Sequence, residues 1–185
     1  MSIEDRQRWD ERHRDATSLK PRESVLTLPR APNAGALALD LACGQGRHSL
    51  ALARAGYRVV AMDVSMKALH HLRSTATGAG DGGLLPVQAD ADAWPFAPAV
   101  FDLVVQVDYL DRRLFAPLRD SLRRGGLLLI DTFLDQRRRN VDGPSRTEFL
   151  LAAGELPRAF ASFDLLRYEE RRGETARALL LARKR

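Results

Sequence analysis

The sequence has one cysteine, Cys43, and no apolar run that approaches the roughly 20 residues of a membrane-spanning helix. A single thiol excludes an internal disulfide and fits a reducing compartment. The first 15 residues are charged and lack the apolar segment of a secretion signal. These absences predict a cytoplasmic protein without a membrane-spanning segment.

Lysine and aromatic residues are also scarce. Arginine makes up 26 of the 29 basic residues, and aromatic residues make up 6% of the chain. The net charge of +5 is compatible with a nucleic-acid partner, because arginines neutralise phosphates. The arginines lie among acidic residues, however, without interleaved aromatic side chains on which bases could stack. This pattern favours a solvated, arginine-rich surface over a nucleic-acid site.

Apolar runs typical of buried strands alternate with helical patterns from residue 36 onward. Strands are predicted for ALALDL, YRVVAMD, LLPVQAD, FDLVVQVDYL and LLLIDTF, and a closing antiparallel hairpin for FDLLRYEE and ARALLLARK. This alternation predicts an α/β fold, a three-layer Rossmann-like sandwich with a mainly parallel seven-stranded sheet. The length of 185 residues fits a single domain.

Capping and turn residues predict where the helices begin and end. Ser65 is a candidate N-cap for the helix in SMKALHHLRSTATG, and Gly56 follows the helix in RHSLALARAG. The helix in RRLFAPLRDSLRRGG is expected to end at Gly125 and Gly126. Pro117 predicts either a kink in that helix or a late start.

One loop has the composition of a ligand-binding segment. ACGQG follows the first predicted strand, at the edge where α/β sheets bind ligands. Gly44 and Gly46 allow the backbone to approach a ligand closely, and Ala42 and Cys43 are small. Asp63 ends the second predicted strand, 19 residues after Gly44, close to the spacing expected of an acid that binds ribose hydroxyls. The segment therefore predicts a nucleotide-like ligand.

Two residues disfavour a dinucleotide as that ligand. Ser49 stands where the motif G-x-G-x-x-G has its third glycine, which alters the close packing of helix on strand. Asp40 precedes the loop, where a carboxylate suits an ammonium group better than a pyrophosphate, although it could instead satisfy loop amides. We therefore expect a nucleotide-like ligand that carries an ammonium group rather than a pyrophosphate.

Five stretches resemble, in order and spacing, the motifs of class I S-adenosylmethionine-dependent methyltransferases: DLACGQG from Asp40, then Asp63, QADADAWPF, FDLVVQVDYL and LRRGGLLLIDTF. More narrowly, the set is similar to the small tellurite-resistance/thiopurine-type branch. The resemblance covers roughly residues 9–182 and implies an enzyme that uses S-adenosyl-L-methionine. It also implies one domain, residues 1–185, with an N-terminal lid or cap segment (residues 1–35) and a cofactor-binding core (residues 36–185).

The resemblance assigns cofactor-binding roles by position. The backbone of Ala42, Gly44 and Gly46 would cradle the methionine and ribose portion of the cofactor. Asp40 would face the amino group of the cofactor, directly or through water. Asp63 would bind the ribose hydroxyls.

Further cofactor contacts are implied around the adenine and the sulfur. Val64 or Met66 would pack on the adenine, Asp90 would accept from its exocyclic amine, and the Ala91 amide would lie beside it. Gln106 would line the floor beneath the sulfonium. A turn-capping role for Asp90 stays open.

Candidates for the acceptor site follow the fourth predicted strand. Asp108 and Tyr109 are the tentative catalytic or acceptor-pocket residues, with turn formation and ring burial as alternative roles. A thiolate or chalcogen oxyanion needs no general base, whereas an oxygen or nitrogen acceptor often does. The segment QVDYLDRR lacks the NPPY-like or DPPY-like run that marks amino-methylation of bases.

The partners follow from the same observations. We expect a small-molecule methyl acceptor, with RNA or protein as the alternative suggested by the basic charge. No grouping of His, Cys and Asp has metal-ligand spacing, so no metal is expected. The exposed edge of the hairpin leaves a monomer and a homodimer open.

Overall fold

The computed structural model describes residues 7, 9–11, 20–76, 83–136 and 143–185. The chain divides into two compact units, residues 1–97 and residues 98–185. Within the described residues, no helix is both long enough and apolar enough to cross a membrane.

Three parallel strands form the sheet of the first unit, in the order β3-β2-β1. Their bounds are Leu37–Leu41 (β1), Arg58–Asp63 (β2) and Leu84–Gln88 (β3). β1 and β2 are buried along almost their whole length, as their continuous apolar runs predict. Because the strands are parallel, their carboxyl ends lie at one edge, and Asp63 at the end of β2 is level with Gln88 of β3.

The first unit also contains short helices, some before β1 and others after the strands. Their bounds are Glu23–Leu26 (α1), Arg47–Arg54 (α2) and Met66–Thr75 (α3), with a 3-10 turn at Ala91–Ala93, and Gln7 and residues 9–11 are also helical. Ser65 caps α3 as predicted, because its hydroxyl accepts the amide hydrogen of Ala68 at 3.1 Å. Gly56 has a positive φ of 94° just beyond α2, which confirms it as the residue that ends this helix.

The second unit contains the strands Phe101–Val107 (β4), Leu122–Phe133 (β5), Phe163–Arg171 (β6) and Arg177–Lys184 (β7). They are ordered β4-β5-β7-β6. β4 and β5 are parallel, whereas β7 is antiparallel to both β5 and β6. The predicted closing hairpin is therefore confirmed, and β7 lies between β5 and β6.

Helical segments of the second unit are also short. They comprise α4 (Phe115–Ser121), α5 (Glu155–Ala159) and two 3-10 turns, Arg112–Leu114 and Thr147–Phe149. Pro117 is the third residue of α4, in the first turn, where backbone amides have no partner within the helix. The helix therefore starts late, as one of the two alternatives predicted.

The prediction that this helix ends at Gly125 and Gly126 is wrong. α4 ends at Ser121, and both glycines lie inside β5. Gly125 has a positive φ of 81°, and the register of β5 against β4 shifts after Phe101. The glycine pair thus accommodates an irregularity in the strand rather than a helix terminus.

The described strands form a mixed, seven-stranded sheet. The predicted Rossmann-like α/β fold, mostly parallel with a C-terminal antiparallel hairpin, is confirmed. The single domain and the N-terminal lid stay predictions. Much of the proposed lid, residues 1–6, 8 and 12–19, lies outside the described residues.

Gly126→Ala tests the strand irregularity. A Cβ at this position would lie 2.9 Å from the carbonyl oxygen of Arg123 and 3.2 Å from that of Phe101. We expect a loss of about 1 to 3 kcal/mol in the free energy of unfolding, measured in urea. Gly173→Ala is the control, because a Cβ there meets nothing within 4 Å, and it should change stability by less than about 0.5 kcal/mol. Equal effects of the two substitutions would contradict this account.

Candidate functional site

The carboxylate of Asp63 joins two loops at the end of β2. Its Oδ2 accepts the amide hydrogen of Gly44 at 2.8 Å, and its Oδ1 accepts that of Ser65 at 2.8 Å. The residue is 8% exposed. A carboxylate offers about four acceptor sites, so these two bonds are compatible with the predicted role of Asp63 in binding ribose hydroxyls, which stays a prediction.

The glycine loop follows β1 in an unusual backbone conformation. Ala42, Gly44 and Gly46 all have positive φ angles, of 55°, 53° and 80°. A left-handed alanine costs roughly 1 to 2 kcal/mol and persists only where surrounding structure imposes it, as at ligand sites. A Cβ on Gly46 would lie 2.2 Å from Cδ1 of Leu72, so α3 leaves no room for a side chain there. The alternating left-handed residues are compatible with a close approach of this backbone to a ligand, which stays a prediction.

Asp40 lies near the end of β1 and is fully buried. The Ser49 hydroxyl donates to Asp40 Oδ2 at 2.5 Å. Burial raises the pKa of Asp40 to about 7, with a smaller contribution from the charge of Asp63, while the bond from Ser49 and the charge of Arg47 act in the opposite direction. A cationic group placed beside Asp40 would favour its ionised form.

Ser49 is a site residue that the sequence reasoning did not identify. In the sequence, Ser49 stands out only because it replaces a motif glycine. In the structure, its hydroxyl donates a hydrogen bond to the carboxylate of Asp40. The pattern that could have indicated this role is a serine on the buried face of α2, one turn after the glycine loop. A buried hydroxyl needs a partner, and the carboxylate nearest to the loop on its N-terminal side in the sequence is that of Asp40.

The predicted adenine side of the site is formed by the loops after β2 and β3. Val64 is buried, and its carbonyl oxygen accepts a hydrogen bond from the side-chain amide of Gln88 at 3.1 Å. Asp90 caps the following 3-10 turn, because its Oδ1 accepts the amide hydrogen of Asp92 at 2.9 Å. Ala91 is buried within this turn. The turn-capping alternative for Asp90 is thus present, and the adenine contacts stay predictions.

Cys43 lies in the glycine loop after β1 and is a free, buried cysteine. Its thiol is buried, and burial together with the charges of Asp40 and Asp63 raises its pKa well above the ordinary value. The thiolate form is therefore disfavoured, which supports a packing role for Cys43 over a nucleophilic one. Within the described ranges, no group of three or more His, Cys, Asp or Glu could hold a metal ion.

The end of β4 brings the second unit's candidates together. Gln106 is completely buried, and its Nε2 donates to the carbonyl oxygen of Tyr109 at 2.9 Å. This bond directs the remaining amide oxygen, Oε1, away from Tyr109, and Oε1 has no hydrogen-bond partner in the described part of the chain. Asp108 has a left-handed φ of 59°, and its amide donates to the carbonyl oxygen of Asp131 at 3.0 Å. Strain of this kind is common at functional sites.

Arg177 is the second residue that the sequence reasoning missed. Its Nη1 lies 2.8 Å from Oδ1 of Asp108, and its Nε donates to Oδ1 of Asp131 at 2.8 Å. Its guanidinium also lies over the ring of Phe133, 4.9 Å from the centroid. The side chain is 15% exposed and connects β7 with β5 and with the residue directly after β4. An arginine beside the apolar run ALLL is a weak indication of such an ion pair, because its partners lie far away in the sequence.

Comparison with known sequences shows that part of the chain is similar to methyltransferases. Residues 38–126 match a family model described as a methyltransferase domain. The demethylmenaquinone methyltransferase of Thermobifida fusca (strain YX) is 38% identical over 105 residues, which cover 54% of this chain and 44% of that protein. The chain spans less than half the length of the curated relatives that it matches.

Solved structures are similar over most of the chain. TehB from Haemophilus influenzae has a TM-score of 0.70 and 24% identity, over 82% of this chain and 58% of that one. A SAM-dependent methyltransferase from Methanosarcina mazei has a TM-score of 0.69 and 19% identity, over 90% of this chain and 99% of that one. The chain therefore shares the α/β fold of these solved structures.

In this fold, the predicted cofactor residues of the first unit lie at the carboxyl ends of the strands and in the loops that follow: Asp40, Ala42, Gly44, Gly46, Asp63, Val64, Asp90 and Ala91. The predicted residues of the second unit lie at the end of β4 and directly after it: Gln106, Asp108 and Tyr109. These placements fit the expected edge of an α/β sheet. The role of each residue stays a prediction.

Asp40→Asn tests the buried carboxylate through the pH dependence of stability. The pKa of Asp40 rises from its ordinary value of 3.8 to about 7 on folding, so its contribution to stability is greatest below pH 3.8 and is lost as pH rises to about 7. Relative to the neutral variant, the wild type should therefore lose on the order of 2 kcal/mol between pH 5 and pH 8. Urea unfolding of both proteins at the two pH values gives this difference. A constant difference would contradict a raised pKa.

Arg177→Met tests the ion pairs of the second unit. Removing the guanidinium leaves Asp108 and Asp131 without their cation in a mostly buried setting, so we expect a loss of about 2 to 4 kcal/mol in unfolding free energy. Adding Asp108→Asn should restore part of the loss. Arg185→Met is the matched control, because its ion pair with Asp164 is more than half exposed, and it should cost less than about 0.5 kcal/mol. Similar losses for both arginines would refute the assignment.

Proposed function

We propose that this protein is an S-adenosylmethionine-dependent methyltransferase that acts on a small-molecule acceptor. One observation carries the proposal: the carboxylate at the end of β2, Asp63, is bonded to the glycine loop after β1 through the Gly44 amide. Both elements lie within the segment that is similar to methyltransferase domains. A ribose-binding acid beside a backbone cradle is what a nucleoside-type cofactor requires.

The residues of the first unit fit the parts of this cofactor. Asp40 is a buried carboxylate whose charge would be stabilised by an ammonium group, and its pKa near 7 allows it to ionise when that group binds. Asp63 offers acceptor sites to ribose hydroxyls, and Ala42 and Gly44 present backbone in left-handed conformations. S-adenosylmethionine, when bound, supplies a methyl group activated by a positively charged sulfur. The protein's own contribution would be orientation and the exclusion of water.

A small methyl acceptor is proposed because arginines near the candidate acceptor site are paired with carboxylates. The arginines after β4 are engaged with carboxylates, since Arg112 contacts Glu155 at 2.6 Å and Arg113 contacts Asp111 at 2.6 Å. Arginines neutralised in this way contribute little to phosphate binding. This supports a small molecule over RNA, in spite of the net charge of +5.

The resemblance of the motifs to the small tellurite-resistance/thiopurine-type branch narrows the proposal further. The methyl acceptors that this branch implies would be thiols or chalcogen oxyanions, which need no general base. Asp108 and Tyr109 are proposed as acceptor-pocket residues, because the left-handed backbone at Asp108 and its ion pair with Arg177 hold this segment in one conformation.

Calorimetric titration with S-adenosylmethionine and S-adenosylhomocysteine tests the cofactor. We expect the wild type to bind both with dissociation constants on the order of 1 to 100 μM. Asp63→Ala should weaken binding by about 30-fold or more, because it removes the acceptor of the ribose hydroxyls, and Asp63→Asn should have a smaller effect. Asp164→Asn is the control, because Asp164 is exposed on β6 and far along the chain from the cofactor loop, and it should bind as the wild type does.

Each outcome is decisive once circular dichroism shows that the variants are folded. Failure of the wild type to bind either ligand would overturn the proposed function. Equal binding by Asp63→Ala would remove the ribose assignment. Binding of a structured RNA with a steep dependence on salt would instead favour the RNA alternative over a small-molecule acceptor.

A further inference from the structure

A carboxylate from the N-terminal part of the chain caps α3. Oδ1 of Asp10 accepts the hydroxyl hydrogen of Ser65 at 2.6 Å and the amide hydrogen of Lys67 at 3.3 Å. The first amides of a helix have no partners within the helix, and a negative charge is favourable beside them. Asp10 lies 55 residues before Ser65 in sequence, so this cap is a tertiary contact within the first unit.

Ser65 is held on three sides. Its hydroxyl donates to Asp10 and accepts the amide hydrogen of Ala68 at 3.1 Å, and its own amide donates to Oδ1 of Asp63 at 2.8 Å. A hydroxyl has one hydrogen to donate, so the bond to Asp10 fixes the rotation of the O–H and directs a lone pair at Ala68. Ser65 is completely buried, so solvent does not replace these partners.

The hydrogen bonds continue from Ser65 to the glycine loop. Asp63 receives Ser65 on one carboxylate oxygen and Gly44 on the other. The result is a continuous chain from Asp10 through Ser65 and Asp63 to Gly44. A carboxylate held in this way is already oriented before a ligand arrives, and preorganisation of this kind lowers the cost of binding.

We propose that Asp10 is a positioning residue for the cofactor, which acts through Ser65 to hold Asp63 in the orientation that binds the ribose. The inference rests on the proposed function, since it concerns the same cofactor site. A helix cap alone would stabilise α3 without affecting the cofactor, so the two roles differ in what they predict for cofactor affinity.

A double-mutant cycle on S-adenosylhomocysteine affinity separates the two roles. Asp10→Ala should weaken binding by about 3-fold to 10-fold. Asp10→Asn should retain most of the affinity, because its amide oxygen can still accept from Ser65 and Lys67. In a protein that already carries Asp63→Asn, adding Asp10→Ala should weaken binding by less than about 2-fold, since the carboxylate through which Asp10 acts is gone. Glu11→Gln, a change at an exposed neighbouring residue, is the matched control and should leave affinity unchanged.

The possible outcomes distinguish a helix-cap role of Asp10 from a positioning role. A lower melting temperature for Asp10→Ala with unchanged affinity would reduce Asp10 to a helix cap, and additive effects of the Asp10 and Asp63 substitutions would exclude action through Asp63. Should Asp10→Ala fail to fold, Ser65→Ala breaks the same chain of bonds, and the same non-additivity with Asp63→Asn is expected. A wild type that binds no ligand defeats the proposed function and this role together, whereas a binding wild type with an unaffected Asp10→Ala defeats the positioning role alone.

Discussion

The carboxylate of Asp63 is the constraint on which the first unit's site depends. It ends β2, and its two oxygens hold the loop after β1 and the turn before α3 at fixed positions. Gly44 and Ser65 belong to different strand–helix connections, and without a shared acceptor each amide would need its own partner. The glycine loop, the start of α3 and the contact with Asp10 are therefore connected through one buried acid.

A second acid in the same unit has a contrasting environment. Asp40 receives one short hydrogen bond from Ser49, and burial raises its pKa to about 7, whereas Asp63 accepts two backbone amides. Two carboxylates in one small volume repel each other, which adds to the rise in the pKa of Asp40. A ligand that brings a positive group to Asp40 would relieve this repulsion, which supports the proposal of a ligand that is both cationic and hydroxylated.

Much of this arrangement could be predicted from the sequence because it is local. Hydrophobic periodicity predicted the strands, and Ser65 was identified as a helix cap from its place before α3. The helix end at Gly125 and Gly126 was wrong because a glycine pair suits a strand irregularity as well as a helix terminus. The contacts of Arg177 and Asp10 could not be predicted, because each depends on which distant residue the fold brings alongside.

The position of β7 between β5 and β6 has a consequence for how the second unit folds. β6 precedes β7 in the chain, but among the described strands it pairs only with β7. β6 therefore cannot join the sheet until β7 is available to pair with it. The β6–β7 hairpin is a local pairing, whereas the β5–β7 pairing spans a longer loop and forms more slowly. We therefore expect the hairpin to assemble first and then to dock, with Arg177 reaching its two carboxylates only in that last step.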